Sequence, residues 1–222
     1  MNKKTSRQKF AIASAIGVMT VAFVAEVPTE AASIPFTDVP IQSYYYEPII
    51  LLYNQGIIEG RTATQFKPGQ EATRAEAALF IANALELDTV NVKDPGFKDV
   101  PTSSKYYGAI AALYEKGIIH GKSPTMFDPN GTLTRSHIAK MIVLSFEFEM
   151  SSASTTKFTD VNKLQNVNER RYIQTLVQND ITKGTSNTTF SPNNTVTRGQ
   201  LTTFLHKALL AKGEDFELVD VQ

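Results

Sequence analysis

One set of motifs recurs three times along the chain, and this repetition constrains the fold more than any other sequence feature. The tetrapeptide Phe-Thr-Asp-Val at 36–39 has counterparts at 97–100 and 158–161, spaced by 61 residues both times. The pair Thr73-Arg74 recurs after 61 and then 63 residues, so two residues are inserted in the polar stretch 162–168. Landmarks that repeat in a fixed order are typical of repeat proteins. The sequence predicts three repeats, at 34–90, 95–152 and 156–211.

Each repeat is predicted to fold as helix, loop and helix. In the first helix Tyr46, Ile49, Ile50 and Tyr53 are spaced as i, i+3, i+4 and i+7, which indicates one apolar helical face. This helix should end at a residue with positive φ, for which glycine is preferred and Asp is tolerated. The second helix should begin at a threonine, and Thr-Arg-x-Glu/Gln matches a capping box. The predicted helix ends are Gly56, Gly117 and Asp180, and the predicted N-caps are Thr73, Thr134 and Thr197.

These elements predict an all-α fold. A helix pair of this size cannot bury its apolar faces alone, so the three repeats should pack into one body. The simplest arrangement closes around a pseudo-threefold axis and leaves three similar clefts between neighbouring repeats. A linear stack is the alternative.

The first residues of the chain predict export. Basic residues between Lys3 and Lys9 precede an apolar run at 10–25, and small residues follow at 31–33. This order is typical of a signal peptide, here 1–31, with cleavage after Ala31 or Ala32. An uncleaved anchor is the alternative, but the run is shorter than the ~20 residues that span a bilayer. No second long apolar segment follows, so no membrane insertion is expected after processing. An acidic tail occupies 212–222.

Several classes of function are disfavoured by composition. The formal net charge is zero, which argues against a nucleic-acid partner. The chain has no cysteine, so it has neither a disulfide nor a thiol nucleophile. The three histidines occupy different repeat positions without metal-ligand spacing. We therefore expect no metal, no cofactor and no enzymatic activity.

The combined motifs resemble the S-layer homology family. The Phe-x-Asp-Val opening, the Gly-Ile-Ile-x-Gly turn, the Phe-x-Pro loop and the Thr-Arg-x-Glu helix start all match, and they cover the chain from 34 to about 210. The resemblance implies a pseudo-trimer with a central three-helix spindle and three prongs. It also implies binding to the secondary cell wall polysaccharide of Gram-positive bacteria, often through a pyruvate ketal, and a location at the cell wall or S-layer. The family's anion contact maps onto Arg74, Arg135 and Arg198.

The chemistry of these residues suits an anionic sugar. A guanidinium can bind a carboxylate bidentately, and a helix N-terminus also favours an anion. The alternative for the arginines is an ion pair with the following repeat. Two further sets of residues are candidates for sugar contacts. Loop glycines allow the backbone to approach a ligand closely, and aspartates can accept hydrogen bonds from sugar hydroxyl groups, although Asp is also a good turn former. These sets are Gly60, Gly121 and Gly184, and Asp38, Asp99 and Asp160.

The three clefts are expected to be unequal. Repeat 2 has His137 in place of the motif glutamate, and repeat 3 has the insertion and Glu169-Arg170 where the other repeats have tyrosines. Tyrosines also stand where family members often carry tryptophan. The cleft that uses Arg74 is therefore expected to be nearest to the family pattern.

Non-covalent wall anchoring is the predicted function. One alternative is a protein related to wall-associated hydrolases with peptidoglycan binding, which the short remainder outside the repeats disfavours. The other is a structural protein that assembles into a surface lattice. The tail is a candidate binding segment for a surface protein.

Overall fold

A computed structural model describes residues 34–214 of the protein. The predicted signal peptide and residues 215–222 of the predicted tail lie outside the described residues. Within 34–214 the structure contains α-helices, one short 3₁₀ helix and isolated β-bridges, with no strand, which confirms the all-α prediction. The helices are α1 (Tyr46–Asn54), α2 (Arg74–Ala84), α3 (Tyr107–Glu115), α4 (Arg135–Ser145), the 3₁₀ helix (Val161–Lys163), α5 (Val167–Gln178) and α6 (Arg198–Ala211).

The first helix of each repeat ends as the sequence predicts. Gly56 and Gly117 both have φ of 69°, and Asp180 has φ of 54°. After α1, the amide of Gly56 donates to Tyr53 (2.8 Å) and that of Ile57 to Leu52 (2.9 Å). This pair of bonds is a Schellman motif, which satisfies carbonyl groups that the helix itself leaves free.

The second helix of each repeat begins at a threonine N-cap. Thr73 and Glu76 form the complete capping box that the sequence predicts, and Thr197 and Gln200 form the other. Thr134 also caps its helix by accepting from the amide of residue 137, but the reciprocal bond is missing. These caps place the motif arginine at the first position of α2, α4 and α6.

The inserted residues of repeat 3 change the entrance to its first helix. A 3₁₀ helix, Val161–Lys163, begins at the last residue of the Phe-x-Asp-Val motif there. Asn166 then caps α5 by accepting from the amides of 168 and 169. With 12 residues, α5 is longer than α1 and α3, which have 9 each.

Contacts between the repeats run in a closed cycle. The second helix of each repeat packs on the first helix of the next, since α2 contacts α3, α4 contacts α5, and α6 returns to contact α1. The amide of Arg74 donates to Gly131 of repeat 2, and that of Arg198 donates to Gln70 of repeat 1, both at 2.8 Å. A linear stack would not bring repeat 3 onto repeat 1. Exact threefold symmetry and the spindle-and-prong shape remain predictions.

The apolar core is continuous through all three repeats. Phe36, Phe97 and Phe158 of the opening motif are buried beside the phenylalanine of the Phe-x-Pro loop in the same repeat, with ring centroids 5.5 to 5.8 Å apart. Such aromatic pairs contribute a large part of a core's buried apolar area. They fix the Phe-x-Pro loop, and this loop is the surface that the preceding repeat contacts.

Candidate functional site: three arginine clefts

Each motif arginine reaches across a repeat boundary onto the Phe-x-Pro loop of the next repeat. Its Nε donates to the carbonyl of the loop phenylalanine, and its guanidinium lies over that ring. We name the three boundaries the Arg74, Arg135 and Arg198 clefts. The loop residues are Phe127 for Arg74 (2.9 Å to the carbonyl, 4.4 Å to the ring centroid), Phe190 for Arg135 (2.6 and 4.5 Å) and Phe66 for Arg198 (2.8 and 4.4 Å).

The Arg198 cleft is closed by the protein's own groups. Arg198 is 1% exposed, and Nη1 lies 2.6 Å from Oε1 of Glu76. Its Nη2 donates to the carbonyl of Glu59 at 2.7 Å. Arg61 binds both oxygens of Glu76, at 2.9 and 3.0 Å. Every guanidinium nitrogen of Arg198 therefore has a protein partner, and one of those partners is a carboxylate. This is the ion pair between neighbouring repeats that the sequence left as the alternative role.

Opposing effects act on the pKa values of this pair. Burial lowers the pKa of Arg198, and the charge of Glu76 opposes that effect. For Glu76, burial raises the pKa, but the hydrogen bond from Arg61 and the charge of Arg198 outweigh it, so the pKa is lowered. Both groups are thus ionised at neutral pH, and the pair is a buried salt bridge.

The Arg74 cleft is more open. Besides the bond from Nε, Nη2 of Arg74 donates to the carbonyl of His120 at 2.8 Å. The position of Glu76 is taken here by His137, whose pKa is lowered by burial and by the charge of Arg74, so this imidazole is neutral at pH 7. Asp128 and Asp99 lie near enough for their charges to oppose the effect of burial on the pKa of Arg74.

The Arg135 cleft contains the guanidinium with the fewest protein partners. Arg135 is 5% exposed, yet among residues 34–214 only its Nε has a hydrogen-bond acceptor, the carbonyl of Phe190. A second ring, Phe204, lies 5.2 Å from the guanidinium carbon. The residue at the position of Glu76 is the neutral Gln200. The charge of Arg135 opposes the rise that burial causes in the pKa of Tyr44, a residue of repeat 1.

The predicted aspartates hold the Phe-x-Pro loops in place. In repeat 1 the carboxylate of Asp38 accepts from the amides of Phe66 and Lys67, both at 2.8 Å. Asp99 and Asp160 bind the corresponding amides of their own repeats. Each loop has a residue with positive φ directly before proline, a strained conformation that such bonds can maintain. The structure thus gives the aspartates a supporting role, and a ligand contact remains a prediction.

The predicted glycines are required by packing. A Cβ on Gly60, Gly121 or Gly184 would collide with the ring of Phe36, Phe97 or Phe158, respectively, and with nearby carbonyl oxygens. The carbonyl before each of the first two glycines accepts from Nη2 of a motif arginine. Gly60 and Gly121 therefore each follow a backbone carbonyl that lies at a cleft. Direct contact of the three glycines with a sugar remains a prediction.

We expect Asp99→Asn to destabilise the protein without a specific loss of ligand binding. The amide side chain keeps one acceptor but loses the charge and one of two backbone contacts, which corresponds to about 1.5–3 kcal/mol. Urea unfolding would measure the change, and wall binding would be measured at a temperature where the variant is folded. Weaker binding at unchanged stability would instead identify Asp99 as a ligand contact.

Two contributors to the clefts were missed at the level of sequence. One is Arg61, a loop residue that donates hydrogen bonds to both oxygens of Glu76. The other repeats have no arginine at this loop position. The other contributor is Tyr44, one of the tyrosines that stand where family members often carry tryptophan, which the sequence does not place at the cleft between repeats 2 and 3. The Arg135 cleft thus draws on repeat 1, which provides neither its arginine nor its loop, and a single sequence gives no signal for such a junction of three repeats.

A cavity of about 410 Å³ lies on repeat 3, between its 3₁₀ helix and its Phe-x-Pro loop. Asp160 lines it together with Lys163, Leu164 and residues 191–194. No other predicted site residue lines this cavity. Within the described residues no three His, Cys, Asp or Glu side chains are grouped as a metal site requires, and none of the helices there is both long and apolar enough to cross a membrane.

The fold and the clefts define a class: a helical repeat protein in which an arginine marks each repeat boundary. The chain belongs to the S-layer homology domain family, whose profile matches residues 35–78, 96–139 and 157–202, more than half of its length. The resemblance seen in the sequence is thereby confirmed.

Several known proteins contain a region similar to this chain. It is 35% identical over 201 residues to the surface-layer 125 kDa protein of Lysinibacillus sphaericus, covering 89% of this chain and 17% of that protein. An S-layer protein of Bacillus thuringiensis subsp. finitimus is 34% identical over 208 residues, covering 92% and 25%. An endoglucanase of Bacillus sp. (strain KSM-635) is 31% identical over 180 residues, covering 78% and 18%. The chain thus spans at most a quarter of these relatives.

Proposed function

We propose that this protein attaches non-covalently to the bacterial cell wall by binding secondary cell wall polysaccharide in the clefts between its repeats. Membership of the S-layer homology family and the similarity to S-layer proteins support a non-enzymatic role at the cell surface. The ligand we propose is a terminal sugar with a ketal-linked pyruvate, in a Gram-positive wall. The predicted signal peptide is consistent with export, and the C-terminal tail is our candidate segment for binding a second surface protein.

One observation carries this proposal: the motif arginine occupies the same place at all three boundaries. In each case Nε is held by a backbone carbonyl and the guanidinium lies on a buried phenylalanine ring. The side chain is therefore fixed before any ligand arrives, which reduces the entropy that binding would otherwise cost. Arginine at the first helical position also opposes the helix dipole, so helix stability does not explain its presence there.

The repeated clefts suit a polymeric ligand. Sites on one rigid body can bind neighbouring glycan chains at once, and such multivalency increases apparent affinity by about 10²–10⁴ over a single site. A reversible but long-lived attachment therefore requires only weak binding in each cleft.

Sedimentation with wall sacculi tests the proposed function. We expect the protein, lacking residues 1–31, to sediment with intact sacculi and to stay in solution once the secondary polysaccharide has been stripped. The double variant Arg74→Gln/Arg135→Gln should bind at least about 100-fold more weakly, because two of the clefts lose their anion contact. Lys116→Gln is the matched control, since it removes an exposed charge outside the clefts.

The two negative outcomes differ in meaning. Sedimentation that persists after stripping would replace the polysaccharide by peptidoglycan as the ligand. Absence of sedimentation with intact sacculi would overturn wall anchoring.

A further inference from the structure

The three clefts differ in chemistry although they share one motif. We propose that the Arg135 cleft is the principal site for a carboxylate-bearing sugar, that Tyr44 and Gln200 complete it, and that the Arg198 cleft binds no ligand because Glu76 already occupies it. The assignment rests on the proposed function, since it specifies which cleft provides the contact.

The Arg198 cleft already contains a bound carboxylate. Oε1 of Glu76 lies 2.6 Å from Nη1 of Arg198, and Arg61 holds the same carboxylate from the other side. An incoming anion would have to displace a buried and doubly bound side chain. Arg198 therefore connects repeat 3 to repeat 1 and closes the cycle of repeats.

The Arg135 guanidinium, in contrast to that of Arg198, forms no hydrogen bond with a carboxylate of the described residues. Its Nη1 and Nη2 have no hydrogen-bond acceptor among residues 34–214, and Arg135 is only 5% exposed. A guanidinium carries five N–H donors, so Nη1 and Nη2 keep donors that a ligand can engage. The two nitrogens present the paired geometry that binds a carboxylate bidentately. Arg74 is intermediate, because its Nη2 already donates to the carbonyl of His120.

A backbone difference in repeat 3 explains why Arg135 lacks the acceptor that the other arginines have. The equivalent carbonyl belongs to Lys183, which precedes Gly184. Gly184 has φ of +90°, whereas neither Gly60 nor Gly121 has positive φ. Its amide is within 3.2 Å of Oγ1 of Thr182. The peptide between residues 183 and 184 is thus oriented differently, and its carbonyl does not reach Arg135.

A neutral side chain stands where the Arg198 cleft has its carboxylate, because Gln200 occupies the position of Glu76. Asp160, whose charge opposes the effect of burial on the pKa of Arg135, is itself held by the amides of Phe190 and Ser191. Tyr44 is 62% exposed, and its ring packs edge-on against Tyr45 at a centroid distance of 5.0 Å. The ring of Tyr45 lies against Gly199, the residue before Gln200, so the Tyr44–Tyr45 pair stands beside Gln200 at the start of α6. In keeping with this position, a hydrogen bond with Gln200 and the charge of Arg135 oppose the rise that burial causes in the pKa of Tyr44. An aromatic face beside a few polar groups is typical of small-ligand sites.

Lys105 and Asn168 occupy the position of Tyr44 in repeats 2 and 3. Among the described residues, no other cleft therefore combines an exposed tyrosine at this position with an arginine whose Nη1 and Nη2 both lack an acceptor. An aromatic face beside a carboxylate site selects a ligand with a carboxylate fixed on a sugar ring. A flexible acid would lack the apolar face, and a neutral sugar would lack the anion.

Calorimetric titration with a simple probe tests the assignment. The probe is the methyl glycoside of a hexose with a pyruvate ketal, and the same glycoside without the ketal is the control ligand. We expect Arg135→Gln to weaken binding of the ketal probe by at least about tenfold, the range for lost charge-assisted hydrogen bonds. Arg74→Gln should change affinity by less than about threefold, and Tyr44→Ala should weaken it by about fivefold. Lys116→Gln should have no effect.

The outcomes separate this inference from the proposed function. Unchanged probe binding in Arg135→Gln, or a larger loss in Arg74→Gln, would overturn the assignment even if the protein sediments with walls. Arg135-dependent probe binding without sedimentation would support the cleft assignment and reject wall anchoring. Equal binding of both glycosides would show that the carboxylate is not recognised.

Discussion

Glu76→Gln is expected to lower the free energy of unfolding by about 3 kcal/mol at neutral pH, because it leaves the buried Arg198 without a counter-charge. Gln200 shows that glutamine can complete the capping box in this fold, so the substitution keeps the cap and removes only the charge. Urea unfolding followed by circular dichroism would measure the change.

An exposed ion pair is the control for Glu76→Gln. Lys105 pairs with Glu59 at the surface, where both side chains are about half exposed. Lys105→Gln should therefore cost less than about 1 kcal/mol. Equal, small losses in the two variants would show that the Glu76–Arg198 pair does not hold repeat 3 on repeat 1.

The same pair predicts how stability depends on pH. Burial raises the pKa of Glu76, but Arg61 and Arg198 outweigh burial and hold it below its ordinary value of 4.5. A group whose folded-state pKa is depressed binds fewer protons in the folded than in the unfolded protein. Its stabilising contribution is present above pH 4.5 and is lost as the pH falls through the lower, folded-state value. In unfolding curves recorded at several pH values, the free energy of unfolding of Glu76→Gln should therefore fall less on acidification than that of the unsubstituted protein.

The parts of the fold that were predicted correctly depend on local sequence. The positive φ of Gly56, Gly117 and Asp180 follows from the end of an apolar helical pattern, and the threonine caps follow from four consecutive residues. Such features are set by the backbone within one turn of helix. They can therefore be predicted from a single chain without any knowledge of how the repeats pack.

The partners of the motif arginines could not be predicted in the same way. Arg198 and Glu76 are 122 residues apart, and their contact exists only because the cycle of repeats closes. On sequence alone, the Arg74 cleft is nearest to the family pattern, since repeat 1 has the complete Thr-Arg-x-Glu motif. In the structure, however, the glutamate of repeat 1 belongs to the Arg198 cleft. A motif read along one repeat is thus divided between two clefts.

The same division explains why the substitutions at the third motif position matter. Glu76, His137 and Gln200 each stand beside the arginine of the preceding repeat. A glutamate there compensates the charge of the arginine, whereas a neutral histidine or glutamine does not. The departures from the motif in repeats 2 and 3, which the sequence alone presents as defects, therefore distinguish a closed cleft from open ones.

Phe190→Ala should have a large effect on both stability and binding. Phe190 is 0% exposed and forms the surface on which Arg135 lies. Removing a buried phenylalanine ring costs about 3–5 kcal/mol. It also frees the guanidinium to leave the geometry in which Nη1 and Nη2 can bind a carboxylate. We expect the ketal glycoside to bind at least about tenfold more weakly to the folded variant.

Phe66→Ala is the matched control, because Phe66 is also 0% exposed and lies under Arg198 at nearly the same distance, 4.4 Å. Its loss of stability should be similar, since the two rings occupy equivalent places in the core. Its affinity for the probe should stay within about twofold of the original, because the Arg198 cleft is occupied by Glu76. Both variants would be titrated at low temperature, with the folded fraction measured by circular dichroism. Equal losses of affinity would mean that binding follows global stability rather than the Arg135 cleft, whereas a loss in Phe190→Ala alone would separate the arginine that binds the wall from the arginine that holds the protein together.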